Sequence, residues 1–353
     1  MKVMVEIIQH LKPGGIEKLV LDIMRLQDAD IKVYIVALEG DEATCLAHWP
    51  ALKRYHDRLI FLDKKPGFKL ATVRRLRKIL RTLEVDIIHT HHIGPLLYGG
   101  MAVLKSTNIQ HIHTEHDAWH LLDNKQLQMT KLMLRLNRIT LVADASTVGL
   151  QLSEMLGCTT EPVTILNGID TDKFSPSLSH KIYKHNARVF KVGCAARLVT
   201  EKSLDILIQA VANIPNVELF IAGDGPEKAN LLNLVQELDL STKVKFIGYT
   251  DDMVSFYHQL DLFVLTSSNE GLPLSILEAQ SCNVPVVCSD VGGVHEGVCK
   301  ETGRLIKRHT INEFHIAIKA QMKRCSEYHP RDFITKNFDI KTMIKAYNKL
   351  IEG

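Results

Sequence analysis

An α/β chain of two doubly wound, parallel-sheet domains is the fold class this sequence predicts, on three observations. Short β-branched runs alternate with amphipathic stretches through the first half. The same alternation resumes after a polar, turn-rich break. The chain has 353 residues, 46% of them hydrophobic, which suffices for two cores of ordinary size. In the first half the runs 3–8, 32–37, 59–62, 86–89, 109–113 and 140–143 read as strands, and 16–26, 70–83 and 96–104 as helices. In the second half, strands are expected at 191–195, 217–222, 244–247, 262–265 and 284–288, and helices at 204–212, 228–238 and 274–281. Strands that alternate with helices imply a parallel sheet covered on both faces, the Rossmann-like arrangement.

The break is Asn167-Gly-Ile-Asp-Thr-Asp-Lys-Phe-Ser-Pro176 and the polar stretch that follows it, which carry the turn residues of a linker. This places an N-terminal domain at 1–175, a second at 176–330 and closing helices at 331–353. Two such sheets facing each other across a cleft would bring the loops after their strands to one site, so function is sought in those loops.

Apolar runs of a few residues fall far short of the roughly 20 needed to span a bilayer. The apolar N-terminal stretch is interrupted by Glu6 and lacks a small-residue cleavage site, so it reads as a strand and not as a signal peptide. Seven cysteines without a C-x-x-C pair suit free thiols in a reducing compartment, and the expected location is the cytoplasm. A net charge of +3 is too small to argue for nucleic acid. Its distribution is uneven: from Lys53 to Arg81 there are eleven Lys or Arg against Asp57 and Asp63.

The main chemical constellation begins at Ala196-Arg197-Leu-Val-Thr-Glu-Lys202-Ser203, leaving a strand for a helix with Ser203 as the expected cap. Arg197 and Lys202 at a helix N-terminus suit a diphosphate, because fixed cations and free N–H groups converge there. Taken alone they are more simply solvated surface charges. A second segment, Ser267-Ser-Asn-Glu270-Gly-Leu-Pro-Leu-Ser-Ile-Leu-Glu278, also follows a strand and spaces two glutamates E-x7-E. Pro273 fits a first helical turn, which leaves Glu270 in the loop and Glu278 inside the helix, able to hold different parts of one extended ligand. A helix with acids near its start is the plainer alternative.

The ordered set of a Gly14-Gly15 loop after the first strand, Asn167-Gly-Ile-Asp, Ala196-Arg-Leu…Glu201-Lys, Ala222-Gly-Asp-Gly-Pro226 and Glu270-Gly-Leu-Pro…Glu278-Ala resembles the GT-B retaining glycosyltransferases of family four, across nearly the whole chain. The resemblance implies that Arg197 and Lys202 contact the donor diphosphate and stabilise the leaving group. It implies that Glu270 holds the transferred sugar and Glu278 the ribose, and that Ile247 and Gly248 meet the base. Gly271 and Leu272 complete the donor loop. Gly15 lies near the phosphates and Gly14 on the acceptor side. The closing helices are implied to cross back to the first domain. Two side-chain cations and helix N-termini can neutralise the leaving group, so no metal or other cofactor is expected. Asp251-Asp252 reads as a helix cap and not as a metal-binding D-x-D.

The chain carries 17 histidines, with a cluster in His89-Thr-His91-His92 and His111-Ile-His113-Thr-Glu-His116-Asp-Ala-Trp-His120. A metal centre is one reading, although no motif supplies its carboxylate ligands. By the resemblance, His116 touches the donor sugar through its carbonyl or ring, while His91 and His92 line the acceptor side. For His111, His113 and His120 the simplest reading is half-buried loop residues.

The helix at 68–83 sets Leu70, Val73, Leu76, Ile79 and Leu80 against Arg74, Arg75, Arg77, Lys78 and Arg81. It is either an ordinary surface helix or a reversible docking face for an anionic membrane, which would suit a lipid-linked acceptor at the inner face of the cell membrane. The reading as a whole is a metal-independent hexosyltransferase. It moves a sugar from a nucleoside diphosphate sugar to a hydroxyl of a glycan or lipid-linked acceptor, in lipopolysaccharide or other cell-surface polysaccharide synthesis. A nucleotide-sugar epimerase of the same architecture and a non-catalytic nucleotide-sugar binding protein are the alternatives.

Overall fold

Runs such as Val3-Met-Val and Ile35-Val-Ala-Leu, too β-branched and apolar for exposed helix, pair into buried parallel strands. The amphipathic stretches between them cover the faces. In the computed structural model, which describes residues 1–104, 106–157, 162–177, 189–323 and 329–352, the chain forms two units: 1–167 with 340–353, and 168–339.

The first unit runs β1 (Lys2–His10), α1 (Gly15–Leu26), β2 (Ile31–Glu39), α2 (Glu42–His48), β3 (Leu59–Phe61), α3 (Leu70–Thr82), β4 (Ile87–His91), α4 (Ile93–Val103), β5 (Gln110–Glu115), α5 (Asn124–Leu136), β6 (Ile139–Ala143), α6 (Ser146–Leu156) and β7 (Val163–Thr164). The strands form a seven-stranded sheet in the order β3-β2-β1-β4-β5-β6-β7. Every pairing is parallel, with Glu6 opposite His89 and His91 opposite Thr114. On one face, Val5, Ile7, Val36 and Ile88 pack with Val73, Leu76 and Leu80 of α3 and with Tyr98 of α4. Burying an aliphatic side chain of this size stabilises by about 1.5–3 kcal/mol, so this face commits α3 to the core.

The second unit repeats the design: β8 (Phe190–Ala195), α7 (Leu204–Ala212), β9 (Val217–Ala222), α8 (Lys228–Glu237), β10 (Val244–Gly248), α9 (Met253–His258), β11 (Leu262–Leu265), α10 (Leu274–Ser281), β12 (Val286–Ser289), β13 (Arg304–Ile306), α11 (Ile311–Met322) and α12 (Pro330–Asn337). Its six strands lie in the order β10-β9-β8-β11-β12-β13, all parallel. Val192, Leu219, Ile221 and Val264 pack with Leu207, Ile208 and Val211 of α7 and Phe314 of α11. The last helix, α13 (Ile340–Glu352), belongs to the first unit. Its Asn348 amide donates to Asp28 and Gln27; the Gln110 amide donates to the Leu350 carbonyl, and Lys2 to that of Ile351.

The segment from Gly168 onward belongs to the second unit. Phe174 is buried edge-on against Tyr257, and the Arg331 guanidinium of α12 donates to the carbonyls of Thr171, Phe174 and Ser281. Ile169 and Asp339, next to the two places where the chain passes between units, form a parallel bridge. Among the described residues no helix is long and apolar enough to cross a membrane. Cys45, Cys194, Cys282, Cys288 and Cys299 are buried free thiols; burial pushes Cys194 and Cys282 up to about 12, so neither is reactive at neutral pH. Cys158 and Cys325 lie outside the described residues.

Two expectations about helix starts differ from the structure. Ser203 stands at the start of α7, but its hydroxyl does not cap the helix: at φ +45 its side chain is turned to the Thr200 carbonyl. Pro273 is the residue before α10 and not its first turn. Asp252 does cap α9, accepting from the Ser255 N–H.

Candidate active site

In each sheet the strand order reverses direction once, between β1 and β4 and between β8 and β11. The loops leaving such a pair of neighbours part to opposite faces and open a crevice, the usual ligand position of doubly wound sheets. Gly14, Arg197, Lys202, Glu270 and Gly271 lie on the loops that leave these pairs.

In the second unit, the loop after β8 carries Arg197 and Lys202, and the loop after β11 carries Glu270. Lys202 Nζ donates to Glu270 Oε1 at 2.6 Å, and Ser267 Oγ donates to the same oxygen at 2.6 Å. The loops are joined again by Thr266 Oγ1 to the Lys202 carbonyl and by the Ser268 N–H to the Glu201 carbonyl. The Lys202 and Glu270 side chains are only 23% and 10% exposed. Arg197 is exposed, and its guanidinium makes no hydrogen bond or ion pair among the described residues, so its charge is available to a ligand.

Two glycines set the backbone. At Gly223 (φ +128) a Cβ would fall 2.0 Å from the Ala196 carbonyl oxygen, so this loop lies directly against the Arg197 segment. At Gly292 (φ +51) a Cβ would fall 1.8 Å from the Glu270 carbonyl oxygen. Both combine left-handed backbone with a contact that no side chain permits.

Glu278 lies inside α10, buried, and accepts from the Tyr257 hydroxyl at 2.6 Å. Burial first, and then this carboxylate, push the Tyr257 phenol well above its ordinary value, so it stays protonated and donating. The Leu272 side chain is core, only 3% exposed and against Gly297, so its backbone is the part that can serve a ligand. Gly271 accepts from the Gly293 N–H, and Ile247 is exposed at the end of β10. Gly248 has φ +74 with open space around it, and its carbonyl receives the Gly223 N–H.

In the first unit, Gly14 precedes α1 and Gly15 begins it, and the Gly14 carbonyl accepts from the Lys18 N–H. The histidines divide by strand alternation, because neighbouring residues of a strand face opposite sides of the sheet. His89 and His91 share one face with Glu6. Glu6 meets His89 Nδ1 at 3.1 Å and His91 Nε2 at 2.8 Å. His91 Nδ1 meets His116 Nε2 at 3.0 Å, and His116 Nδ1 meets Asp144 Oδ2 at 3.1 Å. Asp144 also accepts from the Asn167 amide at 2.7 Å. At the other end His89 Nε2 meets Thr114 Oγ1, which meets the Tyr347 hydroxyl of α13. Burial would raise the Glu6 carboxyl, but the two histidines hold it at about 2.

On the opposite face Thr90 meets His111 and His113, and His113 meets Glu115. His111 and His113 are therefore fully buried strand residues and not the half-buried loop residues expected. His120 is half-buried, and burial that would lower it is outweighed by Asp117 at 3.1 Å and Glu115 at 3.4 Å, which raise it to about 10.

His91 does not line an open surface: it is 1% exposed, with both nitrogens engaged. His92 is half-buried, φ +69, ψ 165, at the start of α4. A non-glycine residue in that region carries strain of about 1–3 kcal/mol and marks a candidate site. Glu6, His89 and His91 bring three ligand-type atoms within 4.8 Å of one another; each of them is already engaged in the hydrogen-bonded chain. Glu6, Asp144 and Tyr257 are the residues that sequence reasoning missed. For Glu6 the signal was an acid in the middle of an apolar strand.

In α3, Val73, Leu76 and Leu80 are buried as expected, but Leu70 is 48% exposed beside Phe68. Two of the five basic residues are committed to the protein: Arg75 donates to the carbonyls of Phe61 and Leu62, and Arg77 to those of Met101 and Ala102. Arg74, Lys78 and Arg81 are exposed.

Two family models match the chain. Glycosyltransferase Family 4 covers residues 13–173, and Glycosyl transferases group 1 covers residues 177–336. A GDP-mannose-dependent monoacylated alpha-(1-6)-phosphatidylinositol monomannoside mannosyltransferase of Corynebacterium glutamicum is 25% identical over 83% of this chain and 81% of its own. The O-antigen biosynthesis glycosyltransferase WclY of Escherichia coli is 38% identical over 99 residues, and the match spans only 28% of either protein. Among solved structures, Anabaena Alr3699/HepE in complex with UDP and glucose superposes with a TM-score of 0.84 at 22% identity, over 99% of both chains. That likeness is one of fold, the two Rossmann-like units of GT-B proteins. The two family matches together take in most of the sequence, and the chain belongs to the family-four, group 1 glycosyltransferases.

Proposed function

We propose that this protein is a retaining, metal-independent glycosyltransferase, moving a sugar from a nucleoside diphosphate sugar to a hydroxyl of a glycan or lipid-linked acceptor in lipopolysaccharide or related cell-surface polysaccharide synthesis. The observation that carries the reading is the Lys202–Glu270 pair beside an uncommitted Arg197, at the reversal of the second sheet. Charge builds on the departing diphosphate in the transition state, and cations fixed there act most strongly at that point. Arg197 and Lys202 take the diphosphate. Binding of the phosphates draws on Lys202 and leaves Glu270, still held by Ser267, to accept from sugar hydroxyls. Glu278, oriented by Tyr257, takes the ribose, and the backbone at Ile247 and Gly248 meets the base.

Among the described residues no carboxylate of the motifs stands as an evident covalent nucleophile, which favours front-face displacement, with the leaving phosphate helping to deprotonate the acceptor. Both nitrogens of His116 are engaged, so its main-chain carbonyl is the group to reach the transferred sugar. The relatives named for O-antigen and phosphatidylinositol mannoside synthesis, and the neighbour crystallised with UDP, support the substrate class. Exposed Arg74, Lys78 and Arg81, with Phe68 and Leu70, support a docking face for an anionic membrane surface, with the enzyme acting as a peripheral protein at the cytoplasmic leaflet.

The test is a transfer assay with UDP-, GDP- and ADP-sugars in the presence of EDTA, with product stereochemistry read by NMR. Transfer with retention, undiminished by chelator, is the expected result. Isomerised donor without any acceptor, inversion, or activity abolished by EDTA and restored by a divalent ion would each refute the corresponding part.

A further inference from the structure

Three contacts join four buried side chains of the first unit: Glu6 to His91 at 2.8 Å, His91 to His116 at 3.0 Å, and His116 to Asp144 at 3.1 Å. The His91 and His116 rings lie 22° from parallel with centroids 5.2 Å apart, so at that nitrogen separation they meet edge to edge, as an N–H···N bond requires. Each contact needs one proton. Ionised carboxylates bring none, and two neutral imidazoles bring two. With only two protons, one contact sets two lone pairs against each other in a buried, low-dielectric place, which is strongly unfavourable. A third proton satisfies all three contacts and makes the ring pair a single shared imidazolium between two carboxylates.

We propose that Glu6 is a positioning residue for glycosyl transfer: with Asp144 it holds one shared proton on His91 and His116, and so fixes the ring and main chain of His116. The inference rests on the proposed role of His116.

The groups around the ring pair pull in both directions. Around His116 stand Glu115 and Asp117 on its own segment, His92 with its ring 5.8 Å away, His89 and Glu6 on neighbouring strands, His113 and His120, and the Tyr347 hydroxyl of α13 through Thr114. Burial first, and then neighbouring histidines, lower the basicity of His91 and His116. That lowering opposes the added proton; the carboxylates of Glu6 and Asp144 at the two ends, and the clash of lone pairs that its absence would leave between the rings, favour it.

Glu6→Gln gives a test with a distinct signature. A glutamine can accept from His89 through Oε1 and donate an N–H to His91 Nε2. His91 Nδ1–H then donates to His116, and His116 Nδ1–H to Asp144. All three contacts are satisfied by two neutral rings, and the added proton is gone. Imidazole nitrogen NMR on the full chain should show three protonated nitrogens on the His91–His116 pair in the wild type and two in the variant, both on Nδ1. Turnover in the variant should fall about tenfold or more, with KM for the nucleotide sugar little changed, as expected when a group acts on geometry in the transition state.

Two protonated nitrogens in the wild type, or wild-type turnover in a variant that has lost the third, would overturn the proposal. Should Glu6→Gln not fold, Asp144→Asn poses the same question from the other end and should leave both rings as Nε2–H tautomers. If the wild type transfers sugar from no donor, the proposed function falls and the positioning role with it, while the nitrogen spectra still decide the shared proton.

Discussion

Lys202 Nζ and Glu270 Oε1 stand 2.6 Å apart and tie the loop after β8 to the loop after β11. The pair is partly shielded from water, so it organises the loops more than a surface ion pair would. Lys202→Ala and Glu270→Ala should each lower kcat/KM by about 10²–10⁴-fold, while circular dichroism and thermal unfolding show an intact fold. Near-normal activity in either variant would refute the donor-site assignment.

The Tyr257 hydroxyl donates to Glu278. Removing that hydroxyl leaves the carboxylate less well aimed, so Tyr257→Phe should raise KM for the nucleotide sugar about threefold to tenfold with kcat nearly constant, the sign of lost uniform binding. Glu278→Ala strips the buried phenol of its acceptor and should also cost about 1–3 kcal/mol of stability. Urea unfolding measures the second effect. An unchanged KM in Tyr257→Phe would remove Glu278 from the ribose.

The pairing of His120 with Asp117 and Glu115 predicts a pH dependence of stability. Its folded value is raised to about 10 from an unfolded value of 6.5. The contribution is therefore fully present below pH 6.5 and is lost as pH rises toward 10, and with partial exposure it amounts to on the order of 1–3 kcal/mol. Unfolding free energy should decline across that window in the wild type, and less in His120→Gln. Parallel declines would contradict the pairing.

On α3 the structure separates basic residues that look alike in sequence. Arg74→Glu with Lys78→Glu and Arg81→Glu should abolish sedimentation with anionic vesicles at low salt without loss of stability, since each charge near such a surface is worth about 1 kcal/mol. Arg75→Ala or Arg77→Ala should instead lower the melting temperature, because each removes hydrogen bonds to part-buried carbonyls. No wild-type binding to vesicles of any anionic content would remove the membrane face.

Local patterns carry the sheets. The runs at 217–222, 262–265 and 204–212 match β9, β11 and α7, because β-branched and amphipathic periods are local properties. Strands β7 and β13 are only two and three residues long, so they leave little periodic trace. Lys202, Glu270 and Glu278 are legible from their spacing after strands; the Tyr257 partner is not, since it comes from another helix. The histidine network lies further from reach. His89-Thr-His91 alternates, so its faces follow from strand geometry, but the meeting with Glu6, His116 and Asp144 depends on β1, β4, β5 and β6 lying side by side. No spacing in the sequence encodes that order.

The most direct test of the central claim is calorimetric titration of UDP, GDP and ADP into the wild type and into the Arg197→Ala, Lys202→Ala double variant. The account predicts one-to-one binding of at least one nucleoside diphosphate, weakened about 10²-fold or more when the two cations are removed. Equal binding by both proteins, or binding of none of the three by the wild type, would contradict it.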